Sequence, residues 1–417
     1  MVNVRSVFVA RNPTDGAVPS TTAADYINLP ITGASGGFVT TEIQDPTIRD
    51  DRQPQGSVRT GSSVTAAIEG SFRYDAFDEV MQAALLDDDW DFVDGSAIKS
   101  GSLTLAVDSG AKTVTASAGT PFAGLSAGDW VRLEKTGWVN DMIVLHVASK
   151  TDTVITYDYA SATVTTDASE ASCVVRWGQR ITIGTTENVY TVVKKIGQAG
   201  VTLYEMHTGC NFDGMTLSAA PGQVMRVSFP YVGRSVITSD DGTIIVDSNG
   251  DEAGSGTTID LDDYLTTGPG FTAAPSGAAF SPVKLTSAVW VDGVLSAALK
   301  SLTVTLANNT GGEQVLFQDG NQYVAAGDAS VTGSFNAIFD AVDLATAIKN
   351  NTSVAVQFYL VDDTNQAYII DIPSCTLGSG GNPITNGRDL VQQQIRFSAT
   401  VDSTTSRAFS ITRLSIA

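Results

Sequence analysis

Most of the chain alternates between apolar and polar residues with a period of two, the pattern of β-strands that bury one face. Val, Thr, Ile, Tyr and Phe fill these runs, and Gly, Asn and Asp separate them. Clear examples are residues 189–193, 222–229, 302–306 and 394–399. The pattern predicts a mainly β protein built from antiparallel strands and tight turns.

Helical spacing of apolar residues occurs in two places. Residues 75–86 carry one apolar stripe that a sheet can bury, formed by Phe77, Val80, Met81, Ala84 and Leu85. Asp75 is the expected N-cap of this helix, with Asp78 and Glu79 in its first turn, where the helix dipole favours anions. The second predicted helix covers residues 340–350 and contributes Leu344 and Ile348.

The two predicted helices belong to an order of elements that occurs twice. Each follows a Gly-Ser-Phe strand, at 70–72 and at 333–335. Each is followed by a strand that ends in a cysteine, Cys210 or Cys375, and then by a strand with an Arg between apolar residues. We interpret this order as an internal duplication.

The first copy contains an insertion. Gly70 and Cys210 are 140 residues apart, whereas Gly333 and Cys375 are 42 apart, a surplus of 98 residues. Most of the surplus consists of short strands between turns, which predicts a small inserted β-barrel. The expected organisation is a discontinuous first β domain at 1–94 and 181–238, an inserted domain at 95–180, an acidic Gly-rich connector at 239–279 and a second β domain at 280–417.

A polar hairpin near the N-terminus is predicted to extend from the protein. Residues 37–60 read as two strands joined by a long tip with prolines and mixed charges. Such a tip cannot bury itself, so it is either a mobile loop or an arm docked on a neighbouring subunit. The second copy has a shorter equivalent at 312–324. The proposed arm residues are Glu42, Asp45, Pro46, Arg49, Asp50, Asp51, Arg52 and Pro54.

Composition limits the possible functions. The 417 residues include 24 Lys and Arg against 45 Asp and Glu, a net charge of -21, which argues against broad nucleic-acid affinity because such binding needs cations that replace counterions. Only 17% of residues are charged, so much of the surface is Ser, Thr, Ala and Gly. The three cysteines are widely spaced and read as buried thiols. No stretch approaches the ~20 apolar residues that span a bilayer.

Candidate chemistry is sparse. His146 lies within an apolar strand, and His207 and Cys210 are expected on opposite faces of theirs. No GxSxG or HExxH motif is present. Residues 247–252 depart from the EF-hand calcium loop, and the acidic run 87–91 is typical of a solvated surface. We therefore expect no catalytic site, cofactor or metal.

The ordered set of motifs resembles the tail tube proteins of long, non-contractile-tailed bacteriophages, the siphoviruses. The set comprises the polar hairpin arm, the Gly-Ser-Phe-Arg-Tyr strand that runs into the first helix, the inserted Ser-Ala-Gly-Asp-Trp-Val module at 126–131 and the strands at 204–217. The likeness covers nearly the whole chain. It implies two tandem tail-tube β-barrel or sandwich domains, each with one flanking outer helix.

The resemblance also implies a structural virion protein rather than an enzyme. Such chains stack as rings into a tail tube through which DNA is ejected, and a duplicated chain is expected to form a ring from three copies. The implied partners are the chain itself, tape measure, terminator and distal tail proteins, and double-stranded DNA that passes without specific binding. Assembly is implied in the host cytoplasm, with no membrane partner.

Two further expectations concern charge and rival functions. A net charge of -21 predicts an anionic channel wall that repels phosphate. The alternative function is a β-sandwich receptor-binding or adhesin component of the tail, although the five tryptophans form no sugar platform that the sequence reveals. An enzyme ranks third because neither histidine accompanies a nucleophile motif.

Overall fold

The computed structural model describes residues 5–12, 26–44, 56–198, 201–247, 250, 252–261, 277–281, 288–291, 294–295, 299–316, 320–338, 348–379 and 392–415. Strands dominate this part of the chain, so the predicted mainly β fold is confirmed. The elements of the first half are β1 (Arg5–Arg11), β2 (Ile27–Leu29), β3 (Ile31–Gln44), β4 (Ser57–Ser71), α1 (Asp78–Leu85), β5 (Asp91–Phe92), β6 (Leu103–Asp108), β7 (Thr113–Ala116), β8 (Trp130–Glu134), β9 (Val144–Lys150), β10 (Val154–Ala160), β11 (Asp167–Arg176), β12 (Gln179–Thr182), β13 (Tyr190–Gln198), β14 (Val201–Phe212), β15 (Gly214–Ala219), β16 (Arg226–Gly233) and β17 (Ser235–Ser239). The remaining elements are β18 (Thr243–Val246), β19 (Thr257–Asp260), β20 (Ala288–Val291), β21 (Val294–Leu295), β22 (Leu299–Ala307), β23 (Gly311–Glu313), β24 (Tyr323–Ala325), β25 (Ser330–Ile338), β26 (Ser353–Val361), β27 (Ala367–Ser379), β28 (Gln392–Ala399) and β29 (Ser410–Leu414).

The main strands form two layers around one apolar core. The first layer has eight strands, all antiparallel, in the order β3-β4-β16-β15-β22-β25-β28-β27. The second layer consists of β2, β1, β13, β14 and β17 over one half, and β20, β26, β27, β29 and β12 over the other. Residues of both layers and both halves share one buried cluster. The first layer is the surface on which the functional site lies.

Helix α1 lies within this core. The stripe residues Phe77, Val80, Met81 and Leu85 are all buried, at 0–1% exposure. Gln82 and Ala83 on the other side of the helix are also buried, because strands surround it. The expectation that Asp75 caps the helix is wrong: Phe77 occupies the N-cap position without a side-chain cap. Asp75 instead adopts a positive φ of 60°.

The second predicted helix lies largely outside the described residues. Leu344 is among the residues without a description, and residues 348–350 are helical. The Ile348 side chain is partly buried and packs on the shared core. The arm residues Asp45, Pro46, Arg49, Asp50, Asp51, Arg52 and Pro54 also lie outside the described residues.

A buried polar cluster anchors α1 to the second half of the chain. Asp78, at the start of the helix, receives a hydrogen bond from the Tyr368 hydroxyl. Its other oxygen lies 2.5 Å from Nη1 of Arg413. Burial raises the pKa of Asp78 to about 6, against the opposing effect of Arg413 and Tyr368. One carboxylate therefore connects α1, β27 and β29.

Six strands between Leu103 and Arg176 form a separate closed barrel, in the order β10-β7-β6-β11-β8-β9. The barrel has its own apolar core, which includes Val114, Leu133 and Ile155. All six strands fall within the segment 95–180. The insertion leaves the main sheet after β5 and returns at β12, and these two strands pair with each other. Entry and exit are therefore adjacent, as a loop-tip insertion requires.

The barrel docks on the second layer through aromatic residues. The Trp130 and Trp290 rings are 4.9 Å apart. Tyr159 stacks on His146 at 4.4 Å and accepts a hydrogen bond from Gln357 at 2.9 Å. Aromatic pairs of this kind add ~0.5–1.5 kcal/mol beyond their buried area. The contact covers the outer face of β20, β26 and β27.

A hairpin covers the corresponding outer face in the first half. β18 and β19 pair with each other, and their apolar residues join those of β1, β13, β14 and β17 in a third buried cluster. Ile244, Val246 and Ile259 are at most 2% exposed. The segment 239–279, read from its Gly and Asp content as a connector, thus contains a packed hairpin that composition did not predict.

The two halves share one order of strand pairing. The first half follows β1-β13-β14-β16-β4-β3, and the second follows β20-β26-β27-β28-β25-β22. Cys210 and Cys375 each adjoin a register shift at which two steps along one strand match three along its partner. The residue after each cysteine begins an equivalent row of partners, Asn211-Val232-Thr65 and Thr376-Ser398-Thr332.

This equivalence places Thr332 in the position of Thr65, 267 residues earlier. The residue equivalent to Gly70 is then Ala337, four positions after Gly333. The two Gly-Ser-Phe motifs are therefore not structural counterparts, contrary to the sequence comparison. At each position a phenylalanine ring leaves no room for a side chain. An added Cβ would lie 2.3 Å from the Phe77 ring at Gly70 and 2.2 Å from the Phe397 ring at Gly333.

Alanine at either motif glycine is expected to destabilise the fold. Gly70→Ala and Gly333→Ala force a phenylalanine ring out of a packed core, which costs ~1–3 kcal/mol. Gly101→Ala is the matched control because nothing lies within 4 Å of its added Cβ. Urea unfolding of unassembled protein measures the difference. Equal midpoints for all three variants would contradict the packing explanation.

The buried Asp78 carboxylate is expected to give a measurable pH dependence. Its pKa is raised from 3.8 to about 6, so the folded state binds more protons than the unfolded state between these values. Stability from this group therefore falls as pH rises through that window. The unfolding free energy of wild type relative to Asp78→Asn should drop by ~2 kcal/mol between pH 4 and 7.

Urea unfolding at both pH values measures this drop. Asp91→Asn, which removes an exposed carboxylate of β5, is the matched control. If the difference in unfolding free energy between wild type and Asp78→Asn were the same at both pH values, burial of Asp78 would not raise its pKa.

Candidate assembly surface

Within the described part of the chain, one sheet face is polar and uncovered. Along seven strands of the layer, from β4 to β27, one set of side chains enters the core and the alternate set faces outward. Two rows of direct cross-strand partners run across the outward face of these seven strands. The first row is Glu69, Ser228, Thr216, Thr305, Thr332, Ser398 and Thr376, and the second is Ser71, Arg226, Ser218, Thr303, Ser334, Arg396 and Gly378.

Hydroxyl side chains dominate these rows. Ten of the fourteen positions are Ser or Thr, and the Thr216 and Thr305 hydroxyls lie 3.3 Å apart across the junction of the two halves. The charged residues in the two rows are Glu69, Arg226 and Arg396, and all three are exposed. The carboxylate-rich surface expected from the net charge is therefore not found in these described rows.

The second layer presents no comparable face. Its outward side is covered by the β18–β19 hairpin over β1, β13 and β14. Over β20, β26 and β27 it is covered by the inserted barrel. The hydroxyl-rich face is thus the side of the main sheets that other parts of the described chain leave open. It is the candidate wall of a channel.

The arm begins as a two-stranded ribbon that projects from this layer. No residue of the 14-residue strand β3 is buried. Val39, Ile43 and Val58 are 53–58% exposed, and Ile43 lies directly opposite Val58. Glu42, a predicted arm residue, accepts a hydrogen bond from Ser57 at 2.7 Å. Because isolated two-stranded ribbons are marginal in water, exposed apolar residues here indicate a partner surface.

The second half carries a shorter ribbon of the same kind. β23 and β24 pair with each other beyond β22 and β25, as predicted for residues 312–324. Leu316 is 85% exposed and Tyr323 is 62% exposed. Gln314 donates a hydrogen bond to the Ser62 carbonyl of the long ribbon. The two ribbons therefore contact each other at their bases.

The eight-stranded layer also has two open edges. In the described chain β3 pairs with β4 alone, and residues 377–379 of β27 pair with β28 alone. Unpaired backbone N–H and C=O groups along an exposed strand are a template for another chain. The open edges lie at opposite ends of the layer, which suits head-to-tail association of identical copies.

The residues considered for chemistry form structural contacts. His207 is fully buried, with Nδ1 2.7 Å from the Tyr231 hydroxyl and Nε2 2.8 Å from Glu205. Burial lowers the pKa of His207, and it raises the pKa of the Cys210 thiol. His146 lies 2.7 Å from Asp158 at the barrel contact. Among the described residues no three His, Cys, Asp or Glu side chains are grouped closely enough to hold a metal.

The tryptophans do not form the sugar platform that an adhesin needs. All five are at most 8% exposed, and Trp130 and Trp290 pack inside the barrel contact. In the described chain no helix has the length and apolar content to cross a membrane.

The sequence analysis did not predict the hydroxyl rows, because it used alternating Thr and Ser only as a sign of strands. Pairing such runs with one another would have revealed a polar face.

Comparison with known proteins identifies the family of the chain. A search of curated proteins returned no match. The family model of the phage tail tube protein matches residues 13–399, nearly the whole chain. The chain therefore belongs to the phage tail tube protein family.

Proposed function

We propose that three copies of this chain close into a ring, and that stacked rings form the tail tube of a siphovirus. Each chain contributes its eight-stranded layer to one continuous barrel, with the hydroxyl-rich face inward. The observation that carries this proposal is the stagger between the two halves of the layer.

The stagger follows from the register. The row that starts at Glu69 crosses four strand spacings to Thr332. The structural equivalent of Glu69, however, is Asn336, 267 residues on and four beyond Thr332. Each half of the layer thus advances four residues along the strands for every four strands. A closed barrel requires a stagger of this kind.

Three chains of eight strands give a barrel of twenty-four strands with a total stagger of twenty-four residues. The number of strands equals the stagger in residues. With a rise of ~3.3 Å per residue and ~4.8 Å between strands, the strands then tilt by ~35° from the barrel axis. Eight-stranded barrels with a shear of eight have nearly the same tilt, ~36°. The diameter of the barrel, measured between backbones, is then ~45 Å. Barrels of 16 to 18 strands already enclose an aqueous channel, so a barrel of twenty-four strands has an open one.

The shared pairing order and the matching register shifts support an origin by internal duplication, which gives the three-chain ring pseudo-sixfold symmetry. The domain limits proposed from the sequence, 1–94 with 181–238, 95–180, 239–279 and 280–417, are compatible with this plan. Helix α1 and Ile348 pack on the core side of the layer, so they lie outside the channel wall.

The arm from Glu42 to Pro54 is proposed to bridge neighbouring subunits and rings. Exposed apolar residues at its base support this role. Further proposed partners are tape measure, terminator and distal tail proteins, and genomic DNA passing through the channel during ejection. Assembly is proposed in the host cytoplasm. No cofactor or catalysis enters the proposal.

Electron cryomicroscopy of purified protein tests the ring. Threefold rings whose inner wall has twenty-four strands are expected, because each copy contributes eight. Rings of six full chains, or protein that stays monomeric under all assembly conditions, would contradict the proposal.

Charged residues at the arm base are expected to block polymerisation without unfolding the subunit. Ile43→Asp with Val58→Asp replaces two side chains that are 57% and 58% exposed in the single chain. Contact with a neighbouring subunit would then bury two carboxylates without partners, which costs several kcal/mol of association free energy. Val139→Asp, at a 60% exposed site of the inserted barrel, is the matched control.

Sedimentation and negative-stain imaging measure tube formation by these variants, and circular dichroism checks folding. The control should form tubes and the double variant should remain as folded subunits. Normal tubes from the double variant would show that the arm base forms no essential contact.

A further inference from the structure

Two arginines stand out on the hydroxyl-rich face. Arg226 lies between Ser71 and Ser218 in its row, and Arg396 lies between Ser334 and Gly378. Both side chains are exposed, and neither has an ion pair or side-chain hydrogen bond within the described chain. Glu69, one row away, contributes the single carboxylate of the two rows. In a protein of net charge -21, the central part of this face thus carries a net positive charge.

The strand order and the stagger together set the spacing of these arginines. Arg226 is on the third strand of the layer and Arg396 is on the seventh. If three layers close into the proposed barrel, every fourth strand carries one arginine, six in all. Within one chain, four strand spacings separate the two arginines by ~19 Å; between neighbouring chains, the stagger of eight residues widens the separation to ~30 Å. Because the two arginines share a row that follows the tilt, they differ by ~11 Å in height along the channel.

We propose that these arginines form a phosphate-binding lining that holds double-stranded DNA weakly inside the channel. The inference rests on the proposed function, because it requires the face to point inward. Guanidinium groups bind phosphate oxygens through paired hydrogen bonds. The Ser and Thr hydroxyls around them carry no charge, and the one carboxylate of the two rows, Glu69, lies on the strand that pairs with that of Arg226. The Debye length of ~10 Å at 0.1 M salt lets each arginine attract a phosphate before contact.

The wide spacing favours DNA over an acidic protein segment as the partner. A protein segment binds where several cations adjoin, whereas these cations are at least ~19 Å apart. A duplex offers phosphates continuously around its circumference and along its length, so every arginine finds one. Six isolated charges in each ring cannot hold a duplex permanently, since neighbouring phosphates are equivalent and exchange is easy. The lining therefore retains DNA without fixing its position.

Binding of a short DNA duplex to assembled tubes tests this inference. Fluorescent duplex is sedimented with wild-type tubes and with Arg226→Gln/Arg396→Gln tubes over a range of salt concentrations. Wild-type tubes should retain duplex at 50 mM salt, with log affinity falling by up to about 5 per tenfold rise in salt for six contacts. The double variant should retain at most about one-fifth as much duplex as wild type, and its retention should depend less steeply on salt.

Two controls separate the lining from total charge and from guanidinium geometry. Lys99→Gln/Lys349→Gln removes the same charge from exposed sites off this face and should leave retention unchanged. Arg226→Lys/Arg396→Lys keeps the charge and should retain most of the binding. Equal retention by wild type and the double Gln variant would overturn the inference, as would a loss of retention in the Lys99/Lys349 control equal to that in the double variant.

Failure of the inference is distinguishable from failure of the proposed function. If wild-type protein forms no tube, the proposed function fails before DNA is added. If the double Gln variant does not assemble, Arg226→Gln and Arg396→Gln tubes each remove three arginines per ring. Each should then show about half the wild-type salt slope. Unchanged slopes in both single variants would refute the lining.

Discussion

Burial of one face of the eight-stranded layer is the constraint on which the rest of the structure depends. The inward side chains of this layer, such as Leu217, Val304 and Phe397, need an apolar partner, and the second layer with helix α1 supplies it. The described residues place no third layer on the other face of this sheet, so that face stays uncovered by them. That face is accordingly built from hydroxyls. A face that is polar, broad and uncovered is what a channel wall requires.

The outer face of the second layer, in contrast, is covered by other parts of the chain. It is apolar, and two unrelated additions cover it: the β18–β19 hairpin over the first half and the inserted barrel over the second. The barrel contact also contains charge, since Arg132 and Arg176 both bind Glu134. Burial opposes ionisation of Glu134, yet hydrogen bonds from Arg176 and Arg132 hold its pKa below the usual value. The insertion is thus an integral part of the packing of the second half.

Strand stagger relates the single chain to a larger assembly. Antiparallel pairing alone would allow the two halves to meet in any register, but only a particular advance per strand closes a barrel at a normal tilt. The advance of four residues over four strands meets this requirement within one chain. The open edges at β3 and β27 and the exposed ribbon residues Ile43 and Val58 are the surfaces that the proposed ring would place against neighbouring copies.

The amino-acid sequence by itself determined the mainly β class and the helix that spans Asp78–Leu85, because strand and helix periodicities are local properties of the chain. The small inserted barrel was also recognisable from short strands and turns. Only the tertiary structure decided that the Gly-Ser-Phe motifs are not counterparts, that segment 239–279 holds a packed hairpin and that Arg226 and Arg396 share a polar row. These facts depend on register between strands far apart in sequence. A shift of two residues keeps every apolar side chain inside, so alternation alone cannot distinguish one register from the next.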